Sequence, residues 1–280
     1  MKKVSLLPNV ITAFGLACGL FVIFKVNMIE VKSHFDIMLN ATFLLLLAAL
    51  ADFIDGAVAR VFRAESEFGF MFDSLADAVS FGVAPAVLML KSMTLYQGSW
   101  IAFMCATAAM IYSLCGILRL VRFNVKSAEA RGNLIEISAK KKHFTGLPIP
   151  AAAAATVSIN LLFLSPFFNH FFSISLLARA ITMSLVMAVI GYLMVSRWKF
   201  FSLKGLNIRV ASFPVIVGTV IIAICFFYGV LYYFPIVLVL LTWSYVVFSM
   251  ILNILRKIMG KKAKGLKDFD TEKDEESLFR

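Results

Sequence analysis

The sequence predicts an all-α integral membrane protein with eight transmembrane helices. Three observations carry that prediction. Of the 280 residues, 61% are hydrophobic and the mean hydropathy is +0.91, more apolar than a water-exposed surface tolerates. Apolar runs close to the roughly 20 residues that a helical span requires recur along the chain. The basic residues gather in alternate connecting segments, the asymmetry that orients a multispanning protein.

Taken in order, the spans fall at about 6–25, 36–62, 68–91, 99–121, 147–165, 174–196, 212–229 and 234–255. The first opens with "MKKVSLLPNVITAFGLACGL", which starts like a secretion signal. The apolar run continues to Phe24 without a cleavage site, so it reads as a span. The second is long enough for one end to leave the hydrocarbon. Connections are short except for about 122–146. With the N-terminus in the cytoplasm, 23 of the 27 Lys and Arg residues lie on cytoplasmic segments, and only Lys25, Lys32, Lys91 and Arg179 lie opposite. The net charge of +11 is therefore a topology signal. No soluble basic domain exists to bind nucleic acid. Both termini are expected in the cytoplasm. The tail, "GKKAKGLK" followed by "DFDTEKDEE", is expected to be disordered, its basic half near anionic headgroups. Cys18, Cys105, Cys115 and Cys225 sit in apolar runs without metal-binding spacing and read as packing residues. His34, His143 and His170 are expected in loops.

The chemistry concentrates in "ADFIDGAVARVFRAESEFGFMFDSLADAVSFG", Ala51 to Gly82. Asp52 and Asp55 are three apart, Asp73 and Asp77 four apart, so each pair shares a helix face. A hairpin near Arg63–Glu67 turns the chain back and brings the two pairs to similar depth. Asp52 then lies roughly 15 Å from the cytoplasmic end of its helix. Carboxylates in or near a bilayer are costly and mark function. Four together repel one another, and Arg60 and Arg63 cannot neutralise them all. A hard divalent cation sharing phosphate oxygens can. Gly56 and Gly69, with Ala57 and Ala59, keep the helix walls low for a bulky ligand. Glycine inside a helix costs up to about 1 kcal/mol relative to Ala. An ionic cluster that merely joins two helices would need only two of the acids.

The pattern Asp52-x2-Asp55-Gly56-x2-Ala59-Arg60-x8-Gly69-x3-Asp73-x3-Asp77 resembles the signature of the CDP-alcohol phosphotransferase family at every defined position. "LPNVITAFGLACG" resembles that family's Pro-Asn-x2-Thr opening. The resemblance implies a six-helix catalytic core, here residues 1–196, followed by an additional transmembrane pair at 197–257 and the tail at 258–280. It implies transfer of a phosphatidyl-type group from a CDP-linked lipid to an acceptor hydroxyl, with release of CMP. It assigns Asp52, Asp55, Asp73 and Asp77 to one or two divalent cations, Mg²⁺ or Mn²⁺. Asn9, Thr12, Gly56, Ala59, Arg60 and Gly69 would border the CDP-lipid, and Asp77 would be the general base. It further implies a homodimer. The expected setting is a bacterial cytoplasmic membrane, with the active site on the cytoplasmic side.

Two later stretches bear on the acceptor. "LRLVRFNV" (Leu118–Val125) and "HFTGLPIPAAAAA" (His143–Ala155) resemble segments of the membrane-type phosphatidylserine synthase branch of that family. Val121 stands where the branch commonly carries Ala. The implied substrates are CDP-diacylglycerol and L-serine. Arg119 and Arg122 share a helix face, and a guanidinium fork suits the serine carboxylate; Asn124 adds a hydrogen-bonding group. Interfacial anchoring accounts for Arg122 equally well. The shared core motif also fits glycerol 3-phosphate or an inositol phosphate as acceptor. A transporter using the acids as an ion path is the reading from another class. Such sites usually lie near the midplane between repeats; here the acids sit toward one face and no repeat is evident.

Overall fold

The computed structural model describes residues 6–28, 34–62, 66–93, 98–131, 143–172, 174–196, 198–201, 229 and 232–259. The helices are α1 (Leu6–Asn27), α2 (His34–Val61), α3 (Glu67–Asp77), α4 (Ala84–Lys91), α5 (Trp100–Arg131), α6 (Ile149–Leu164), α7 (Pro166–Phe171), α8 (Leu176–Val195) and α9 (Phe234–Met259). Among the described residues, six helical stretches are long and apolar enough to cross a membrane: Leu7–Asn27, Phe35–Ala59, Glu67–Lys91, Trp100–Val125, Leu176–Val195 and Phe234–Leu255. The expected span at 212–229 lies outside the described residues except for Gly229, and so does the tail from residue 260 on.

The expected fifth span is α6, and it is short. Its 16 residues reach about 24 Å at 1.5 Å per residue, against about 30 Å of hydrocarbon. Proline brackets it: Pro148 and Pro150 open it, where a missing amide costs nothing, and Pro166 follows its end. Ala152, Ala155, Thr156 and Ser158 have no exposed surface. Small side chains let neighbouring backbones come close, as suits helices packed in lipid. Trp243 Nε1 of α9 donates to the Ala155 carbonyl at 3.1 Å, and the hydroxyls of Ser158 and Thr242 lie 3.0 Å apart.

The fourth span is longer than expected. The segment read as a loop from residue 122 continues as helix to Arg131, giving α5 32 residues. "KSAEAR" is made largely of good helix formers. The third span is not one regular helix. Directly after Asp77 the chain widens into a π turn, Ala78–Val83, before resuming as α4. Two of its carbonyls are taken up by α5. Tyr112 Oη donates to the Phe81 carbonyl at 3.0 Å, and Ser113 Oγ to the Gly82 carbonyl at 2.9 Å. Tyr112 is fully buried. Gly19 lets α1 lie against this turn, since a Cβ there would stand 2.8 Å from Ser80 Cα.

Beyond the helices the described residues form one small antiparallel ribbon. β1 (His143–Thr145) pairs with β2 (Lys199–Phe201), His143 opposite Phe201 and Thr145 opposite Lys199. Gly146 follows with φ +84°, and a Cβ on it would strike the Met194 carbonyl. Its amide donates to Trp198 O at 2.8 Å, and the Leu147 amide to Leu193 O at 3.1 Å. The "FTGLP" stretch is thus sewn to the C-terminal end of α8. The histidines lie within elements, not loops: His34 opens α2, His143 opens β1 and His170 is in α7. Cys18 and Cys105 are buried and free, as packing residues should be.

Candidate active site

Asp52 and Asp55 stand on α2, and Asp73 and Asp77 on α3. Gly56 and Ala59 continue the Asp52–Asp55 face of α2, both partly buried. Arg60 belongs to the same helix, but its side chain lies outside the described residues. The α3 side depends on a cap. Ser66 precedes the helix in extended conformation, and its Oγ accepts the Gly69 amide at 3.0 Å, satisfying one of the free donors of the first turn.

Gly69 explains itself. A Cβ there would stand 2.8 Å from Asn9 Oδ1 and 3.1 Å from Ser66 Oγ. Asn9 of α1 therefore occupies the space that any larger residue would fill. One turn along α1, buried Thr12 places its Oγ1 2.6 Å from Asp55 Oδ2 and 3.1 Å from the Pro8 carbonyl. A hydroxyl has one hydrogen, and the shorter contact to the carboxylate is the better acceptor. Asp55 is the most enclosed of the acids, 5% exposed, and this bond fixes its rotamer.

The structure brings Asp52, Asp55 and Asp73 together, one carboxylate oxygen from each lying within 4.8 Å of the others. Ligand oxygens around an octahedral Mg²⁺ are separated by about 3–4 Å given its bond lengths of roughly 2 Å. The spacing fits a cation after small rotations of Asp52 and Asp73, which are only half-buried. The donor set, all carboxylate oxygen, is the hard-cation type. Asp77 lies one turn further along α3, outside this trio. It is within electrostatic reach of Asp52, Asp73 and Asp55, and of the Arg119 guanidinium.

The α5 residues divide. Arg119 turns toward the acids: Asp77, Asp52 and Tyr245 of α9 all act on it. Its Nε is buried and has no hydrogen-bond partner among the described residues. Arg122, one turn on, donates Nη1 to the Val195 carbonyl at 3.3 Å and so holds the C-terminal end of α8. Asn124 Oδ1 accepts from Ser74 Oγ at 3.0 Å, joining α5 to the residue after Asp73. Sequence reasoning missed Ser66, Ser74 and Tyr245. Only Ser66 carried a signal, a serine just ahead of a helical run.

Comparisons with known proteins agree with this geometry. The family model described as CDP-alcohol phosphatidyltransferase matches residues 5–193. A Bacillus subtilis protein named CDP-diacylglycerol–serine O-phosphatidyltransferase is 31% identical over 194 residues, 69% of this chain and 89% of that one. A Methanocaldococcus jannaschii protein of the same name is 30% identical over 200 residues, 71% of this chain and 76% of that one. A Mycobacterium leprae protein of that name is 33% identical over 158 residues, 56% of this chain and 47% of that one; the chain spans about half its length.

Proposed function

The chain belongs to the CDP-alcohol phosphatidyltransferase family, and from that premise we propose that it transfers the phosphatidyl group of CDP-diacylglycerol to the hydroxyl of L-serine, giving phosphatidylserine and CMP. It is a transferase of phospholipid biosynthesis. The observation that carries the reading is the acid cluster: three carboxylates converge at α2 and α3, with Asp77 beside them and Arg119 facing Asp77. Relatives named for the serine reaction cover most of the matched region.

Asp52, Asp55 and Asp73, with Asp77 alongside, would hold one or two divalent cations, Mg²⁺ or Mn²⁺, which would neutralise the pyrophosphate of the CDP-lipid. The protein's own groups do the rest. Thr12 keeps Asp55 in the ligating rotamer. Asn9, with Gly56, Ala59, Arg60 and Gly69, borders the nucleotide, where low side chains let a diphosphate approach the helix backbones. Asp77 accepts the proton of the serine hydroxyl as its oxygen bonds to the lipid-bearing phosphorus. The bond from that phosphorus to the oxygen bridging to the CMP phosphate breaks, and CMP departs with the electron pair. Arg119 takes the serine carboxylate. Arg122 and Asn124 fix the acceptor side of α5 through Val195 and Ser74.

The reading extends to the whole chain. Eight spans form a six-helix core at 1–196 and a further pair at 197–257, with the tail at 258–280. The protein works as a homodimer in a bacterial cytoplasmic membrane, termini and active site facing the cytoplasm. The distribution of Lys and Arg supports the orientation.

The deciding experiment incubates purified protein in detergent with CDP-diacylglycerol, Mg²⁺ or Mn²⁺ and one alcohol at a time, following CMP. Release with serine and not with glycerol 3-phosphate or an inositol phosphate is expected. Release with glycerol 3-phosphate alone would end the serine assignment.

A further inference from the structure

The end of the bundle opposite the aspartates holds a second polar cluster, which the transfer reaction does not use. Ser92 closes α4, and by helix rise it lies about 22 Å beyond Asp77. Asn160 of α6 and Arg179, in the first turn of α8, meet it there. Arg179 Nη2 lies 3.3 Å from each of three oxygens: the Ser92 carbonyl, Ser92 Oγ and Asn160 Oδ1. Ser92 Oγ is 2.7 Å from both Asn160 Oδ1 and the Met89 carbonyl. Ser92 and Asn160 are 4% and 1% exposed.

The charges and donors of this cluster do not balance. Three acceptors crowd one edge of the guanidinium, yet Arg179 Nε and Asn160 Nδ2 are buried with no hydrogen-bond partner among the described residues. No carboxylate among the described residues acts on Arg179. The nearest formal charge along α4 is Lys91, of the same sign. Arg179 also stands at the N-terminal end of α8, where the helix dipole adds further positive potential. The carbonyls ending α4 offset only part of it. Buried donors left without an acceptor are destabilising. The two idle groups are both donors, and they stand beside an uncompensated positive charge, a combination that suits an anionic acceptor.

We propose that Arg179, Asn160 and Ser92 form a binding site for a phosphate-type oxyanion at the end of the bundle opposite the aspartates. Arg179 Nε and Asn160 Nδ2 donate to its oxygens and the guanidinium balances its charge. The side chain of Arg179 is only partly enclosed, and exposed Leu176 and Leu177 beside it face outward from the bundle. The two donor atoms are themselves enclosed, so an oxyanion reaches them from this side as the Arg179 side chain moves outward; either the phosphate of a phospholipid headgroup or free inorganic phosphate fits.

The test uses the full-length protein, delipidated in a non-ionic detergent with EDTA present, so that the aspartates are without metal. Thermal unfolding is followed against inorganic phosphate in one arm. The other arm uses mixed micelles of phosphatidylglycerol, with native mass spectrometry counting bound lipid. Wild type is compared with Arg179→Gln and with Asn160→Asp. Asn160→Asp keeps the acceptor for Ser92 and supplies an internal carboxylate to Arg179. Wild type should gain a saturable stabilisation from phosphate, from phosphatidylglycerol, or from both, and the responding arm identifies the source. Both variants should bind that ligand at least about tenfold more weakly, the size of one lost charged hydrogen bond. Asn160→Asp should fold without ligand at least as stably as wild type, which covers the case in which Arg179→Gln fails to fold. An unchanged response in Asn160→Asp, or no response of wild type in either arm, would overturn the proposal and leave Arg179 as a cap on α4.

Discussion

Thr12→Val keeps the shape of the Thr12 side chain but strips the 2.6 Å hydrogen bond from Asp55. A hydrogen bond to a charged group is worth about 1.5–3 kcal/mol. The Mg²⁺ concentration for half-maximal CMP release should rise by about tenfold or more, with little change at saturating metal. Asp77→Asn should lower kcat by about 10²–10⁴, the usual contribution of a general base. CDP-lipid binding, measured by equilibrium titration, should be largely kept; near-wild-type turnover would remove Asp77 from that role. Gly69→Ala should raise the KM for CDP-diacylglycerol more than that for serine, because the new methyl displaces Asn9 rather than anything facing the acceptor. The acids were legible in the sequence because their spacing alone fixes them on two facing helices. The division between Arg119 and Arg122 was not. The partner of Arg122, the Val195 carbonyl, lies 73 residues away, and nothing local distinguishes two arginines on one face. Arg119→Ala should therefore raise the serine KM selectively, whereas Arg122→Ala should lower thermal stability and raise both KM values alike.

Among elements, α5 does more than its apolar character suggested. It touches the π turn through Tyr112 and Ser113 and α3 through Asn124, and it sets Arg119 within electrostatic reach of Asp77 and Asp52. Tyr112→Phe keeps the ring and orphans the Phe81 carbonyl in a buried setting, which costs about 1–3 kcal/mol. The unfolding midpoint should fall measurably, and kcat should fall with it if the π turn relaxes. Ser113→Ala, at the partly buried neighbour, should do less. Apolar runs announced α1, α2, α8 and α9 within a few residues, because a span has a minimum length and little else ends it. The same criterion misjudged α6 and α5. Prolines cut α6 short while its neighbours keep it from lipid, and α5 goes on past the apolar run because its polar extension still favours helix. The π turn had one local signature, Pro85, which has no amide to give the Phe81 carbonyl and crowds it; that carbonyl is taken instead by Tyr112, 31 residues away, which no local pattern shows.

For the whole molecule, the orientation predicted from Lys and Arg can be read directly. Single cysteines placed at Lys3 or Lys267, in a background lacking the native four, should react with an impermeant thiol reagent only from the cytoplasmic face of sealed vesicles. Labelling from the other face would invert the topology. The third span as a whole serves one pair of neighbours. Asp73 of α3 meets the acids of α2, and Ala84 and Leu88 of α4 pack with Val22 of α1 and with Ala41 and Leu45 of α2. Between them the π turn closes its hydrogen-bonded rings with one residue more than an α turn. The chain thus carries slack at one place. Loss of one residue within Ala78–Val83 should tighten the turn to α geometry and leave both halves against their partners. The same deletion within Glu67–Asp77 has no slack to draw on: it would rotate the acids ahead of it by about 100° and swing them away from α2.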